Sequence, residues 1–340
     1  IASVYFSNTL DLTERAALTL SGRFDTTRIR LEDRTGESPE LNGNHRFERF
    51  NPAVGLTVGI GESMRLFANV GESTRTPTPV ELACASEDAP CNLPNAFLAD
   101  PPLDEVVART AEIGLGGDDR SGLNWSISAF RTTNRDDILF QTTGGAQANV
   151  GFFDNVGDTR RTGIELSISQ ELSQLHWFVD YSYVDATFED AFTTNSPNHP
   201  VFEQDEDAPA IVGEDKLLVP SGATIPGIPQ HQTNIGADFS FTERFSVGAD
   251  VVYRSGVYSR GDEENLLGKT DAYTVLNLRS EFRFNDYLSV FARVENALDE
   301  EYETFGLLGE PDEVFPEFED PRFYGAGPPR GAWLGVKMKF

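Results

Sequence analysis

Three features of the chain predict an all-β fold, an antiparallel transmembrane β-barrel segment of about 13 strands with short periplasmic turns and long extracellular loops. Apolar and polar residues alternate over long stretches, the connections between those stretches are short and long by turns, and the final residues GAWLGVKMKF carry the same alternation up to an aromatic end.

The alternating segments are 2–10, 16–31, 47–60, 65–76, 106–117, 123–140, 152–170, 176–188, 230–241, 245–258, 271–284, 287–304 and 330–340. Most are near or above the roughly 10 residues that a membrane strand uses, whereas strands of soluble proteins average about 5 to 6. Within 245–254, Phe245, Val247, Ala249, Val251 and Tyr253 lie opposite Ser246, Gly248, Asp250 and Arg254, with Val252 breaking the polar face. Within 161–169, Thr162, Ile164, Leu166 and Ile168 oppose Arg161, Gly163, Glu165, Ser167 and Ser169. Alternation does not say which face is inside; strand length and connection length decide for a barrel with an apolar exterior.

Short polar turns at LDLTER, GESM, DDRSG, FTER and FNDY alternate with the long segments 77–105, 189–228 and 306–329. A sandwich has no reason to alternate loop lengths, but a barrel with turns on one side of a membrane and loops on the other does. The last strand descends to the periplasmic side, and its aromatic end, Phe340, resembles the signal that the barrel-assembly machinery reads.

Composition excludes several classes. No run of about 20 apolar residues exists, so no helix spans a membrane. The mean hydropathy of -0.34 says nothing against a barrel, because a barrel strand needs only every second residue apolar. A net charge of -28 argues against nucleic acid as a partner. His45, His176, His199 and His231 have no G-x-S-x-G or comparable partner motif, so no enzyme is expected, and no cofactor or metal is expected either. The acidic loops, including GDEEN at 261–265, lack the spaced ligands of an EF-hand. Cys84 and Cys91 stand in a proline-rich loop segment and suit a local disulfide in an oxidising compartment.

Five stretches resemble TonB-dependent outer-membrane receptors: GESTRTPTPVELAC (71–84), DNVGDTRRTGIELSIS (154–169), PGIPQHQTNIGADF (226–239), RVENALDEEYETFG (293–306) and PPRGAWLGVKMKF (328–340). The resemblance implies that residues 1–340 are the C-terminal portion of a barrel of roughly 22 strands, with the N-terminal plug, its energy-coupling motif and the first strands lying elsewhere. It implies a bacterial outer-membrane location, contact with outer-membrane lipid, and energy-driven uptake of a bulky nutrient with the TonB complex as partner. The expected cargo is a ferric siderophore, with cobalamin, an oligosaccharide or a passive structural or adhesive barrel as alternatives. Arg254, Tyr258, Phe323 and Tyr324 are the candidate ligand contacts, and Glu165, Arg293 and Glu295 the candidate plug contacts. The inward charges Arg23, Glu112, Arg161, Glu165, Arg254, Arg279, Glu281, Arg293 and Glu295 have a simpler reading in which they pair with one another across neighbouring strands or with the plug. The loop aromatics Phe188 and Phe192 have one in which they fold the loops.

Overall fold

The computed structural model describes all residues except 93–101, 120, 143–149, 206, 214, 311–319 and 340. Thirteen strands form one antiparallel sheet in which every strand pairs with its neighbours along the chain. They are β1 (Ala2–Thr13), β2 (Ala16–Leu31), β3 (Gly43–Ile60), β4 (Met64–Arg75), β5 (Val106–Asp118), β6 (Leu123–Arg135) and β7 (Thr159–Glu171). The series continues with β8 (Leu175–Phe188), β9 (His231–Thr242), β10 (Phe245–Arg254), β11 (Tyr273–Asn285), β12 (Leu288–Glu295) and β13 (Gly331–Met338). Phe340 itself lies outside the described residues.

Connection lengths alternate without exception: 14–15, 61–63, 119–122, 172–174, 243–244 and 286–287 are tight, and 32–42, 76–105, 136–158, 189–230, 255–272 and 296–330 are long. Local chemistry makes the tight turns. In 119–122 the Asp119 carboxylate accepts from the backbone N–H of Ser121 at 2.8 Å and of Leu123 at 3.0 Å, while Gly122 takes φ +81°. The left-handed backbone costs a glycine nothing, and the aspartate mimics a backbone turn.

Four segments run differently from the sequence expectation. The stretch 123–140 is a sheet strand that stops at Arg135, followed by the loop strand Ile138–Thr142; Asp136, at φ 53°, breaks it. Likewise 152–170 divides into Val150–Asn155, which pairs with Ile138–Thr142, and β7. The stretch 245–258 leaves the sheet at Arg254, and 287–304 leaves it at Glu295, where Asn296 and Asp299 adopt positive φ. Asn and Asp tolerate the left-handed region better than other side chains, so they end strands whose apolar alternation continues beyond them.

The two faces of the sheet differ as a barrel requires. Val70, Ile113 and Leu334 stand outward and are 63%, 55% and 78% exposed. Around the tight turns Phe239, Phe241, Phe245, Phe282 and Phe284 form an outward chain of aromatic contacts, with centroids 4.7 Å apart for Phe239 and Phe241 and 4.8 Å for Phe282 and Phe284. Such a girdle marks a membrane interface. Buried apolar clusters sit instead among the long loops. One joins Ala186, Phe188, Val219, Ala223 and Ile225, and another Leu82, Leu103, Val106 and Ile138. Water excluded by loop packing does there what a core does in a globular protein.

Candidate functional site

The inward face of the sheet carries a charge ladder. Arg279 on β11 forks onto Asp238 of β9, donating from Nε to Oδ1 at 2.8 Å and from Nη2 to Oδ2 at 2.6 Å, and its Nη1 donates to Asp250 of β10 at 2.5 Å. Asn277 donates to the other Asp250 oxygen at 2.8 Å. Further round the sheet, Arg49 lies 3.5 Å from Glu72 and 3.2 Å from Glu105, and Arg109 donates to Glu72 at 2.7 Å. Two-sided neutralisation of this kind lets opposite charges share a wall without leaving a carboxylate unpaired.

Of the expected plug contacts, Arg293 and Glu295 are neighbours on β12, with Nη1 3.3 Å from Oε1, and both remain well exposed. They line a recess of about 780 Å³ together with Asp238, Arg279, Glu281 and Trp333. Glu165 lies on β7, opposite Ser128 and Ser182, and among the described residues it makes no ion pair. The three are therefore spread over the inward face and not gathered at one point. Pairing accounts for Arg23 with Asp25 at 2.8 Å, for Arg161 with Asp137 at 3.6 Å and for Arg279.

The expected ligand contacts lie at the opposite end from the tight turns. Arg254 closes β10, and its Nη1 donates to the carbonyls of Tyr253 and Thr233 and to Asn234 Oδ1 at 2.7, 3.2 and 3.1 Å. That nitrogen is already engaged with its own sheet. Tyr258 is in loop 255–272, where Lys269 Nζ stands 4.9 Å over its ring. Phe323 and Tyr324 belong to a loop hairpin, 303–308 with 322–326, opposite Leu307 and Gly306. Arg260 stitches the two loops together through backbone bonds, donating to the Gly306 carbonyl at 2.9 Å and accepting from Leu308 N–H at 2.8 Å. Phe188 and Phe192 pack edge to face at 5.0 Å inside a loop core, so they fold the loops.

Between the loops is a recess of about 310 Å³ whose lining includes Phe140, Ile225, Arg260, Glu263 and Leu308. Four long loops contribute to it. Arg260 is exposed and forms no ion pair among the described residues. In the sequence, one arginine in an acidic loop carries no pattern; its position becomes visible only when loops far apart in sequence meet.

Cys84 and Cys91 are fully buried in loop 76–105 with Cα atoms 5.6 Å apart, inside bridging range. They anchor that loop to the neighbouring one: Phe153 N–H donates to the Cys84 carbonyl at 2.6 Å, and Cys91 pairs with Gly151.

Comparison with known proteins places this architecture. Residues 1–297 match the family model described as TonB dependent receptor-like, beta-barrel. Among solved structures, the copper transporter OprC aligns over 99% of this chain and 47% of its own, with a TM-score of 0.72 at 18% identity. The siderophore receptor PiuA from Acinetobacter baumannii aligns over 99% and 43%, at 0.70 and 17% identity. The ferric yersiniabactin uptake receptor FyuA from Yersinia pestis aligns over 99% and 45%, at 0.68 and 15% identity. The chain thus spans less than half the length of each of these proteins. It belongs to the β-barrel family of TonB-dependent receptors, which are transport receptors of the bacterial outer membrane.

Proposed function

We propose that the complete receptor imports a ferric siderophore, with energy from the TonB complex reaching a plug held against the inward charge ladder. The observation that carries this reading is the loop recess at Arg260. It is walled by apolar side chains such as Phe140, Ile225 and Leu308 together with polar ones such as Asn195 and Asn198, holds the exposed Arg260 with Glu263 beside it, and lies at the loop end of the strands. A ferric chelate is bulky, partly apolar and commonly anionic, and a recess of a few hundred Å³ with an exposed guanidinium suits it, the Glu263 carboxylate being held back by the Gly261 N–H. The surrounding charge of -28 repels an anion at long range, but screening confines that effect to about 8 Å at physiological salt, so a local arginine still decides binding. Siderophore receptors among the structural neighbours support the same cargo class.

Arg254 lies at the mouth of the strands, with Nε and Nη2 making no hydrogen bond among the described residues, and serves as the second cation. In the complete receptor, Arg260→Ala is expected to weaken uptake of an anionic ferric siderophore by about tenfold, the scale of one lost charge-assisted hydrogen bond. Arg254→Ala is expected to weaken it less, and both should leave the surface level unchanged. Radioiron uptake under iron starvation measures this. A receptor that iron starvation does not induce, and whose deletion impairs growth on cobalamin or an oligosaccharide, transports another cargo.

A further inference from the structure

His199 lies in loop 189–230, and Asp262 and Glu264 lie in loop 255–272, yet the three side chains meet in the interior of the loop layer. Their side chains are 0%, 0% and 1% exposed. His199 Nε2 is 3.4 Å from Asp262 Oδ1 and 3.3 Å from Glu264 Oε1. One donor atom from each residue lies within 4.8 Å of the other two. Asp262 is satisfied by backbone N–H groups, those of Leu266 at 2.7 Å and Leu267 at 3.1 and 3.2 Å. Glu264 is not: both carboxylate oxygens are buried without a hydrogen-bond partner, since His199 Nε2, 3.3 Å away, bonds Asp262 Oδ1 instead. A solvent-free carboxylate with no donor needs a proton or a cation to be tolerated.

We propose that His199, Asp262 and Glu264 form a divalent metal site of the zinc class that clamps the two loops together. Metal bonds of about 2.0 to 2.1 Å at tetrahedral angles put ligand atoms roughly 3.3 Å apart, which is the spacing His199 Nε2 already keeps from both carboxylates. One imidazole nitrogen with two carboxylates is a donor set for zinc and its first-row neighbours. Calcium and magnesium take oxygen, and copper(I) takes sulfur. The scaffold around the cluster is already built. Ser196 Oγ donates to the Gly261 carbonyl at 2.5 Å, and Thr224 N–H donates to Asn265 Oδ1 at 2.6 Å, so two further bonds hold the same pair of loops in register.

The histidine tautomer gives the proposal a proton balance. Val201 N–H donates to His199 Nδ1 at 3.1 Å, which leaves the imidazole proton on Nε2, directed at Asp262 Oδ1 3.4 Å away. Ligation through Nε2 puts the metal where that proton is. The ring then carries its proton on Nδ1, the Val201 bond is given up, and any proton held by Glu264 is released. This site is independent of which nutrient the receptor carries.

The test uses the complete receptor, purified in detergent, treated with EDTA, dialysed, and titrated with Zn²⁺ and separately with Co²⁺. About one equivalent is expected to bind with a Kd below roughly 10 µM, Co²⁺ giving the visible absorption of a tetrahedral site, and Zn²⁺ raising the melting temperature of the EDTA-treated protein. His199→Gln and Glu264→Gln should each weaken binding by at least about tenfold. His176→Gln, on β8, should leave it unchanged. Glutamine at 264 mimics a protonated acid, so this variant should stay folded and separate the two ways of tolerating Glu264. Wild-type protein that binds neither ion, or binding that survives both variants, overturns the proposal. Uptake is not a readout, so failure of the siderophore reading leaves the result intact.

Discussion

Arg279 is the residue on which three strands of the inward face depend, because its fork satisfies Asp238 while its third nitrogen reaches Asp250. Removing it leaves two carboxylates facing each other with no cation between them. Arg279→Met is therefore expected to cost the complete receptor about 1–3 kcal/mol, as for charged hydrogen-bond partners left unmade, and not more, since the guanidinium is one-third exposed. Arg279→Lys keeps the charge but loses the planar fork and should fall between. Thermal unfolding of the three proteins checks the order, and a lysine variant matching the wild type would show that charge alone matters. Cys84 and Cys91 make a second residue-scale case. A bond between them closes a short loop, worth about 2–3 kcal/mol on the loop-entropy model. Mass mapping of a non-reduced digest should find them joined in one peptide pair; two free thiols would remove the bond. The cysteines were legible in the sequence because proline-rich loop chemistry surrounds both. The pairing of Arg279 was legible only as a possibility, since register decides which acid faces which base.

At the scale of the element, alternation identified all thirteen sheet strands, because a period of two with apolar residues on one side is what a lipid-facing wall imposes. It failed at strand ends. The small loop strands carry the same period as the sheet, and only single residues such as Asp136 and Asn296 mark the break. The triad of His199, Asp262 and Glu264 could not be read at all, as its members come from different loops and share no local motif. β13 offers the sharpest test of which face is which. Leu334 stands outward among Ala332, Val336 and Met338, while Trp333, Gly335 and Lys337 face inward beside Arg293, Phe291 and Ser289. Leu334→Arg puts a charge into lipid and is expected to destabilise the complete barrel by about 2–4 kcal/mol if it sits near the bilayer midplane. Lys337→Gln, on the other face, should stay within about 0.5 kcal/mol. Denaturant unfolding in detergent or lipid measures both, and equal effects would mean that the faces are assigned wrongly.

At the largest scale, the decisive feature of residues 1–340 taken by themselves is that their sheet has two open edges. Among the described residues β1 pairs only with β2 and β13 only with β12, so the far side of each presents a row of unpaired N–H and C=O groups. In hydrocarbon each such group costs several kcal/mol, and no soluble coat can hide an edge at bilayer depth. In the related structures these 340 residues align with less than half of a longer chain, and we propose that further strands of the complete receptor cover both edges. Residues 1–340 produced alone and directed to the outer membrane are thus expected to give no heat-modifiable barrel and no transport, and to be recovered aggregated, while the complete receptor gives both. Two copies could in principle pair edge to edge. That outcome would appear as a heat-modifiable species of twice the mass, and it would overturn the claim that the edges are completed only within one chain.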